Sequence, residues 1–407
     1  VEKALLALKS ARSLFLPTVS FQGGYQIGEG GRSIDLPIGD LLNPVYRTLN
    51  ELTGNPGKFG TLGNVDQDFL PFNFHDLKVR TTVPILQTDL RYNRELESIR
   101  SDLQATELER YKAELTRQVR ITYFQYLAAG QAVAVHRSAL QLAEEGRRTN
   151  ERLLAHGKGL PSYVLRSASE IEGIRARIHE AEKNAENVRL YFNFLLNRDP
   201  GAAIDTAFNG AAALQEAARL LLPTPDVSGR PELKALKSAE ALQHTAVRMQ
   251  ERFRTPRISG FLDLGTQAQG FKFNRRSRYY FAGLQLDVPL FTGRRHLMGI
   301  RQARLSAEQS RLERESASRQ LATTAAQARN ALATAWEQYR SSGAQLASAR
   351  SYHQLIDRGY REGVNTFIEQ VDARNLLTSA ELQQRLHEFG VLIAAAQLQF
   401  ETTSTHP

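Results

Sequence analysis

The sequence predicts a mainly helical fold of long antiparallel helical hairpins and four β-strands, with one structural plan occurring twice along the chain. Short segments of strict apolar–polar alternation predict the strands. Two proline-free stretches of about 65 residues predict helices far longer than a compact domain needs. Matching features recur at a fixed spacing, as with Pro84 and Pro289, which lie 205 positions apart, and this indicates an internal duplication.

Strands are predicted in two pairs, at residues 16–28 with 76–86 and at residues 256–271 with 279–291. The first and last of these segments alternate apolar with polar or glycine side chains, which is typical of a strand with one apolar and one polar face. The other two segments alternate less regularly and supply one partner strand for each pair.

Each strand pair is followed by a long helical hairpin, predicted at residues 89–198 and 294–401. The first arm of each hairpin runs for about 65 residues without proline, which corresponds to about 100 Å of helix. Glycine-containing segments at residues 156–162 and 361–366 separate the arms. The returning arms place apolar and alanine residues at steps of three and four, which is typical of helices packed in a coiled coil.

The repetition divides the chain into three parts. Residues 1–198 form the first repeat, which opens with the end of a helix, and residues 231–407 form the second, which opens with a helix at 231–254. Residues 199–230 lie between the repeats and show little pattern. The chain begins inside a helix-like stretch, so we expect it to continue upstream, where any targeting segment or lipidated cysteine would lie.

Four prolines lie where strands and helices are predicted to meet: Pro17, Pro84, Pro256 and Pro289. Proline can neither donate a hydrogen bond to a strand ladder nor continue a helix, so it suits such junctions. The first strand pair also encloses a loop at about residues 29–75 that is rich in glycine, proline and asparagine. We expect this loop to be irregular and exposed.

Composition excludes several classes of protein. The net charge is +9, but Lys and Arg alternate with Glu along the long segments, as expected of solvated helix faces rather than a nucleic-acid interface. Cysteine is absent, which excludes disulfides and thiolate metal sites. The nine histidines are scattered, and no motif of a zinc protease, a serine hydrolase or a phosphate-binding loop occurs. We therefore predict neither catalysis nor a cofactor nor a metal site.

The predicted strands cannot be complete on their own. Four strands do not close a barrel, and open strand edges are not tolerated in lipid. The strands must therefore combine with those of other copies into a barrel with a wet interior, or form a soluble β-hairpin cap on a coiled coil. The residue pattern alone leaves both alternatives open.

Six short stretches carry a resemblance to a known family. They are Leu16–Ser20, Leu196–Pro200, Arg230–Leu233, Pro256–Ser259, Val288–Gly293, and Gly363 together with Val371–Ala373. In this order, and with the duplication, the chain resembles the outer-membrane efflux protein (TolC-like) family over nearly its whole length.

The resemblance implies a homotrimer in the outer membrane of a Gram-negative bacterium. Four strands from each copy would form a twelve-stranded β-barrel surrounded by outer-membrane lipid, and the helical hairpins would form a hollow α-barrel that extends into the periplasm. Residues 199–230 would be an equatorial segment in a belt around it. The implied function is passive transport through the exit duct of a tripartite efflux pump or a type I secretion system. A periplasmic adaptor (membrane fusion protein) and an inner-membrane transporter are the implied partners.

The resemblance also assigns a role to the turns between the helix arms, which would be the periplasmic tips. Residues expected to dock the adaptor are Gly157, Gly159, Leu160 and Ser162 in the first repeat and Gly363, Val364 and Thr366 in the second. Glycine permits a tight turn and a close approach of the backbone. The alternative for these residues is an ordinary turn.

A periplasmic gate is implied just beyond the second tip. Glu369 and Asp372 match the family's acidic constriction, and Tyr360 matches a gate tyrosine. The two acidic residues are three apart and share a helix face, so threefold symmetry would give a ring of six carboxylates that attracts cations. A solvated helix face is the alternative.

The chain departs from the best-known members of the family at two positions in the tips. Asn365 replaces a basic gate residue, and Tyr163 stands where an acid is often found. Both departures argue against a closed state held by salt bridges. Phe291 is expected to mark the periplasmic joint. Aromatic residues near the strand ends are expected to lie at the membrane interfaces: Tyr25, Phe271, Phe273, Tyr279, Tyr280 and Phe281.

Two other protein classes compete with a channel. A periplasmic adaptor also contains helical hairpins, but usually one, flanked by compact β-domains, whereas two equivalent hairpins are predicted here. A soluble coiled-coil scaffold would require neither the alternating strands nor the four junction prolines.

Overall fold

The computed structural model describes residues 1–69 and 72–402. The helices are α1 Glu2–Ser13, α2 Ile38–Leu52, α3 Thr88–Ala155, α4 Pro161–Leu195, α5 Gly210–Arg219, α6 Pro231–Glu251, α7 Arg295–Arg361 and α8 Phe367–Thr402. The strands are β1 Thr18–Gln26, β2 Ser33–Leu36, β3 Val65–Asp68, β4 Phe74–Leu86, β5 Arg257–Gln269 and β6 Arg278–Asp287. The chain divides into two compact units, which we call the sheet unit (residues 2–98 and 244–304) and the helical unit (residue 1, residues 99–243 and residues from 305 onwards).

The sheet unit is built on one antiparallel sheet with the strand order β1-β4-β5-β6. β1 pairs with β4 and β5 pairs with β6, as in the two predicted pairs, and β4 also pairs with β5. The sequence did not predict this third pairing, because alternation identifies strands but does not specify which of them become neighbours. β1 and β6 form the two edges of the sheet.

All four strands connect to helices at the same end of the sheet. β1 begins near the end of β4, at the pair Thr18 and Thr82, and β5 begins opposite the end of β6, at the pair Arg257 and Asp287. The connections from β1 to β4 and from β5 to β6 lie at the other end, which we call the hairpin end.

One face of the sheet is apolar and exposed. Successive residues of a strand point to opposite faces, so the register places Phe21, Val79, Leu264 and Tyr280 in one row across this face. Phe21 exposes 72% of its surface, and Leu284 on the same face exposes 73%. An apolar surface of this extent is typical of a face that another apolar surface covers.

The opposite face carries charged residues that pair with one another. Arg80 donates to both carboxylate oxygens of Asp263, at 2.7 and 2.6 Å, and Asp263 is 2% exposed. Asp76 accepts from the Lys78 ammonium at 3.0 Å and from the Tyr279 hydroxyl at 2.8 Å. These contacts join β4, β5 and β6 through side chains as well as through the backbone.

The expectation of an irregular loop between β1 and β4 is wrong for much of its length, which contains α2 and a two-stranded sheet of β2 and β3. The asparagines that suggested a loop instead tie the following segment to α2. Asn50 exchanges hydrogen bonds with the backbone of Phe59, and Asn43 does the same with Leu62, all at 2.8 Å. Proline was equally misleading, because Pro44 lies inside α2.

The junction prolines lie at or beside the ends of strands. Pro17 and Pro256 immediately precede β1 and β5, and Pro289 lies between β6 and α7. Pro84 lies inside β4, where the pairing of β4 with β5 shifts between Pro84 and Leu86. The pairing of β4 with β1 reaches only Thr82, so the missing N–H of Pro84 removes no bond to β1.

The helical unit contains most of α3 and α7 together with α4, α5 and α8. α3 and α7 have 68 and 67 residues, and α4 and α8 have 35 and 36. The largest buried cluster packs Leu127 of α3, Leu332 of α7 and Phe389 of α8 with apolar residues of α5. Small buried residues such as Ala325 and Ala373 fit the close packing between helices. Among the described helices, none has an apolar stretch long enough to cross a membrane.

α5 is a second departure from expectation, because residues 199–230 showed little pattern in the sequence. Asn209 caps this helix by accepting from the N–H of Ala212 at 3.2 Å. Leu214 and Ala217 bury its apolar side in the cluster that contains Phe389 of α8. The helix is only 10 residues long, so a single cap and two buried side chains suffice to define it.

Candidate functional site at the helix-hairpin turns

Two glycine turns join the arms of the helical hairpins. Gly157 and Gly363 have left-handed φ angles of 70° and 81°, a conformation that glycine adopts without steric cost. In each turn the glycine N–H donates to the carbonyl three residues before it, and the following N–H donates to the carbonyl five residues before it. This pattern is a Schellman motif, which closes the C-terminus of a helix. The two turns therefore share one backbone geometry.

The first turn is closed by backbone contact rather than by a side-chain cap. A Cβ at Gly159 would lie 2.8 Å from the backbone nitrogen of Leu154, so the turn has room only for glycine. Leu160 precedes α4 without a capping hydrogen bond from its side chain, and Pro161 starts the helix. Leu160 and Ser162 are both exposed, so their side chains are available to a partner.

The second turn is closed by a capping box. The Thr366 hydroxyl accepts from the N–H of Glu369 at 3.3 Å, and the Glu369 carboxylate accepts from the N–H of Thr366 at 2.7 Å. The same carboxylate oxygen also accepts from the Thr366 hydroxyl at 3.0 Å and from the Asn365 amide at 3.3 Å. These bonds, led by the one from the backbone N–H of Thr366, lower the pKa of Glu369 below its ordinary value. The Thr-x-x-Glu spacing is the sequence signal for such a box.

Glu369 and Asp372 are both exposed and lie about one helical turn apart on α8. The capping box engages only one carboxylate oxygen of Glu369. Asp372 has no ion-pair or hydrogen-bond partner for its carboxylate among the described residues. Within residues 1–69 and 72–402, no group of three or more His, Cys, Asp or Glu side chains is placed to hold a metal ion.

Tyr360 lies inside the helical unit rather than on the exposed face with the two acidic residues. It is 7% exposed, and its hydroxyl donates to Oδ1 of Asn150. Asn150 donates to the Ser167 hydroxyl at 2.9 Å, and Ser167 donates to the backbone carbonyl of Tyr163 at 2.8 Å. Burial raises the pKa of Tyr360, so its hydroxyl remains protonated and able to donate at neutral pH. This chain of hydrogen bonds links α7 to α3 and α4.

The two positions that depart from the expected pattern, Tyr163 and Asn365, make contacts within the chain that are not salt bridges. The ring of Tyr163 stacks on that of Phe367 with centroids 4.7 Å apart, and Phe367 also contacts Tyr360 at 6.3 Å. Phe367 is buried, so it acts as the centre of this aromatic cluster. Asn365 donates to Glu369 within its own turn. The stacking of Tyr163 on Phe367 and the hydrogen bond from Tyr360 to Asn150 thus hold the first hairpin against the second.

A buried ion pair lies further along α8, at a place that no sequence pattern marked. The guanidinium of Arg374 contacts the carboxylate of Glu170 in α4, and the two side chains are 5% and 16% exposed. Gly146 of α3 makes room for this pair, since a Cβ there would lie 2.7 Å from a guanidinium nitrogen of Arg374. An isolated glycine in a long helix is the one sequence signal that could have indicated such close packing.

Comparison with known proteins relates the chain to secretion and efflux proteins. Residues 227–401 match the family described as outer membrane efflux protein. The chain is 23% identical to the alkaline protease secretion protein AprF of Pseudomonas aeruginosa over 306 residues, which are 70% of this chain and 61% of AprF. The chain thus spans about three fifths of the length of this curated relative.

Solved structures of outer-membrane channels share the fold over nearly the whole chain. The outer-membrane channel OprN aligns with a TM-score of 0.73 and 19% identity over 98% of this chain and 86% of its own. The open state of the MtrE outer membrane channel of Neisseria gonorrhoeae aligns with a TM-score of 0.74 and 17% identity over 98% of this chain and 83% of its own. These likenesses confirm the predicted mainly helical fold with few strands. The resemblance seen in the short motifs is confirmed as well, because residues 227–401 match the outer membrane efflux protein family and the chain shares its fold with solved outer-membrane channels.

Proposed function

We propose that this chain is one protomer of a trimeric exit duct in the outer membrane, which serves a tripartite efflux pump or a type I secretion system. Substrates move passively through its lumen. The duct crosses the membrane as a twelve-stranded β-barrel, with four strands from each copy, and continues into the periplasm as a hollow α-barrel. A periplasmic adaptor and an inner-membrane transporter complete the assembly.

The four-stranded sheet is the observation that carries this proposal. Its edges, β1 and β6, have no further partner strand in the described part of the chain, and its apolar face is exposed. Open edges and apolar patches promote association, so a lone copy in water is an unfavourable state. Pairing β1 of one copy with β6 of the next satisfies the edges. Closing three copies into a ring then turns the apolar face to lipid and the charged face to a water-filled lumen.

The helical hairpins supply the periplasmic part of the duct. Their turns share one hydrogen-bond pattern, which supports an internal duplication of strand pair and hairpin. Two hairpins from each of three copies would surround the axis and leave a lumen between them. Residues 199–230, with α5 at their centre, would form the equatorial belt of this α-barrel.

The residues exposed at the turns support a docking role for the tips. Val364 beside the second turn glycine is 78% exposed, and Leu160 of the first turn is exposed as well. Leu165 and Ile368 extend this apolar surface along the first turns of α4 and α8. Exposed apolar side chains at the ends of otherwise charged helices suit a contact with a helical hairpin of the adaptor. The turns that present them contain Gly157, Gly159, Ser162, Gly363 and Thr366.

An acidic ring at the periplasmic entrance is the second part of the proposal. Glu369 and Asp372, repeated in three copies, would place six carboxylates near the axis and favour cations. The lowered pKa of Glu369 keeps it charged at neutral pH. Tyr360 would act on this entrance indirectly, because it fastens α7 to α3 instead of facing the acids. Tyr163 and Asn365 contribute ring stacking and an amide hydrogen bond instead of a salt bridge, which argues against a closed state held by salt bridges at these two positions.

The family match and the solved channels favour an exit duct over a periplasmic adaptor. The sheet also argues against a soluble coiled-coil scaffold. In a soluble protein, an apolar sheet face exposed across all four strands would be unfavourable in water and would promote aggregation.

Planar-bilayer recording combined with a measurement of oligomeric state tests the proposal. The purified chain should be trimeric in detergent and give conductance steps that favour cations. Glu369→Gln/Asp372→Asn should still conduct but lose most of its preference for cations, because the amides remove charge and retain the side-chain shape. A control variant, Glu172→Gln/Glu337→Gln, neutralises two exposed carboxylates elsewhere on the helices and should keep the wild-type selectivity.

The two parts of the proposal fail in different ways. A protein that remains monomeric and gives no conductance would overturn the duct itself. Conductance with unchanged selectivity in the double variant would overturn the acidic ring and leave the duct standing.

A further inference from the structure

The β5–β6 turn, at the hairpin end of the sheet, contains a cluster of basic residues. The proposed transport function assigns them no role. Lys272, Arg275, Arg276 and Arg278 lie within seven residues of one another, and all four are exposed. None of their side chains has an ion-pair or hydrogen-bond partner in the part of the chain that the structure describes. Since no acidic residue occurs in residues 270–281, the turn is a strongly positive surface that attracts anions.

Hydrogen bonds within the turn hold it in one shape. The buried Ser277 donates its hydroxyl proton to the carbonyl of Asn274 at 2.8 Å. The Asn274 side chain accepts from the N–H groups of Arg276 and Ser277 at 2.9 and 3.1 Å. Gly270 donates its N–H to the carbonyl of Asn73 at 2.7 Å, which fastens the turn beside the start of β4. A surface ordered in advance loses less entropy when it binds a ligand.

Two aromatic residues, Phe271 and Phe273, flank Lys272 in the same turn. Phe271 stacks on Tyr25 with ring centroids 5.1 Å apart, and both Phe271 and Phe273 contact the buried His75, at 5.4 and 4.7 Å. Phe271 and Phe273 nevertheless each expose more than half of their surface. Exposed aromatic rings next to cations are typical of the level at which acyl chains end and charged headgroups begin. This combination favours a lipid over a soluble polyanion as the ligand.

The chemistry of the turn points to phosphate. Lys272 and Arg276 line a shallow depression of about 280 Å³ together with Gln267 and Asn274. Its walls offer cationic and amide donors and contain no carboxylate, which is a set of groups suited to phosphate oxygens. The turn contains several cations. It therefore suits a lipid headgroup with more than one phosphate better than a phospholipid headgroup with a single phosphate. The depression is open, so it suits a headgroup that the membrane itself holds in place.

We propose that the β5–β6 turn binds the phosphate groups of the phosphorylated glycolipid in the outer leaflet of the outer membrane. The inference rests on the proposed function, since periplasmic helices at one end of the sheet place the hairpin end at the outer surface. Three copies of the turn surround the mouth of the barrel with cations and fix the level of the barrel in the leaflet.

Lipid binding to the purified full-length trimer tests this inference. Lipopolysaccharide of defined composition is titrated in mixed micelles against the wild-type chain and against Lys272→Gln/Arg275→Gln/Arg276→Gln. The wild-type trimer should bind at least about tenfold more tightly, and the difference should shrink at high salt, because exposed charges are screened. A matched variant, Arg148→Gln/Arg219→Gln/Arg358→Gln, removes the same charge from exposed helix positions and should bind as the wild type does.

Two further probes separate the possible lipids. Lipopolysaccharide stripped of its phosphates, and phosphatidylglycerol, should each bind the wild type and the turn variant alike. If intact lipopolysaccharide binds the wild type and the turn variant equally, the inference is overturned. If phosphatidylglycerol binds the wild type as tightly as lipopolysaccharide does, and loses this binding in the turn variant, the choice of glycolipid is overturned. Planar-bilayer conductance of the wild-type protein distinguishes a failure of this inference from a failure of the proposed function. If the wild type conducts but binds lipopolysaccharide no more tightly than the turn variant, only this inference is overturned. If the wild type does not conduct, the proposed function is overturned.

Discussion

Individual side chains near the hairpin turns form a buried chain of hydrogen bonds. Tyr360, Asn150 and Ser167 form a chain of donors that ends on a backbone carbonyl. A buried hydrogen bond contributes modestly when both partners are present, but removing one partner leaves the other unsatisfied and costs more. The largest effects of substitution are therefore expected at buried polar positions, most of which the sequence pattern did not mark.

Tyr360→Phe removes the donor to Asn150 and leaves a buried carboxamide oxygen without its partner. We expect the local stability of the turn to fall by about 1–3 kcal/mol. Hydrogen–deuterium exchange should be faster in peptides that cover residues 357–367. Tyr352→Phe, at an exposed tyrosine of the same helix, is the control and should leave exchange unchanged. Normal exchange in Tyr360→Phe would contradict a structural role for this hydroxyl.

Glu170→Gln leaves the buried guanidinium of Arg374 with a neutral neighbour. Breaking a buried ion pair by removing one charge costs about 3–5 kcal/mol, so the variant should show a clearly lower unfolding temperature. Glu337→Gln removes a partner of Arg340 from an exposed pair, whose side chains are 70% and 67% exposed, and should change stability by less than about 1 kcal/mol. Similar unfolding temperatures for the two variants would mean that burial of the Arg374 pair is unimportant.

At the scale of helices and strands, elements with a local signal could be predicted and the others could not. Alternation located the four long strands, and the absence of proline located α3 and α7. α2 escaped because asparagine counts as a loop residue, whereas Asn43 and Asn50 here bind a loop to a helix. The β4–β5 pairing escaped because no local pattern specifies a distant neighbour. The glycine turns of the site could be predicted because glycine is a local signal. The burial of Tyr360 could not, because it depends on which helix packs beside it.

The capping box at the start of α8 predicts a specific response to acid. The folded pKa of Glu369 lies below its unfolded value. Its charged form therefore stabilises the helix fully above the unfolded pKa of about 4.3, and this contribution is lost as the pH falls through the lower folded value. Amide exchange at residues 366–372, corrected for its intrinsic pH dependence, should be constant from about pH 7 to about pH 5 and rise only in stronger acid.

Glu369→Gln is the matched control for this response. The glutamine cannot titrate, so the acid step in exchange should disappear. A step between about pH 5 and pH 7 in the wild-type chain would instead require a group with a raised pKa and would contradict the capping role.

At the scale of the whole protein, the two faces of the sheet support the proposed barrel over the soluble cap, two alternatives that the sequence left open. The alternation in each strand already contained one apolar and one polar side. What the sequence could not show is that the four apolar sides form one continuous exposed surface, because this depends on the register between strands. The same register brings Arg80 and Asp263 together on the other face.

Neighbouring positions 284 and 285 test the assignment of the faces. Leu284→Arg places a charge on the side proposed to meet lipid and should destabilise the proposed barrel by roughly 2 kcal/mol. Gln285→Arg points to the proposed lumen and should have little effect. Denaturant titration of each variant after refolding into phospholipid vesicles measures the difference. Equal tolerance of the two arginines would show that the lipid-facing side has been assigned wrongly.

The two open edges of the sheet have a consequence for how a cell makes this protein. A newly made copy exposes unpaired backbone N–H and C=O groups along β1 and β6. An extended segment of another polypeptide can form hydrogen bonds with them. In the proposed assembly, this risk ends when neighbouring copies pair with both edges. A cell that makes the proposed trimer must therefore keep each copy apart from other extended polypeptides until both edges are paired.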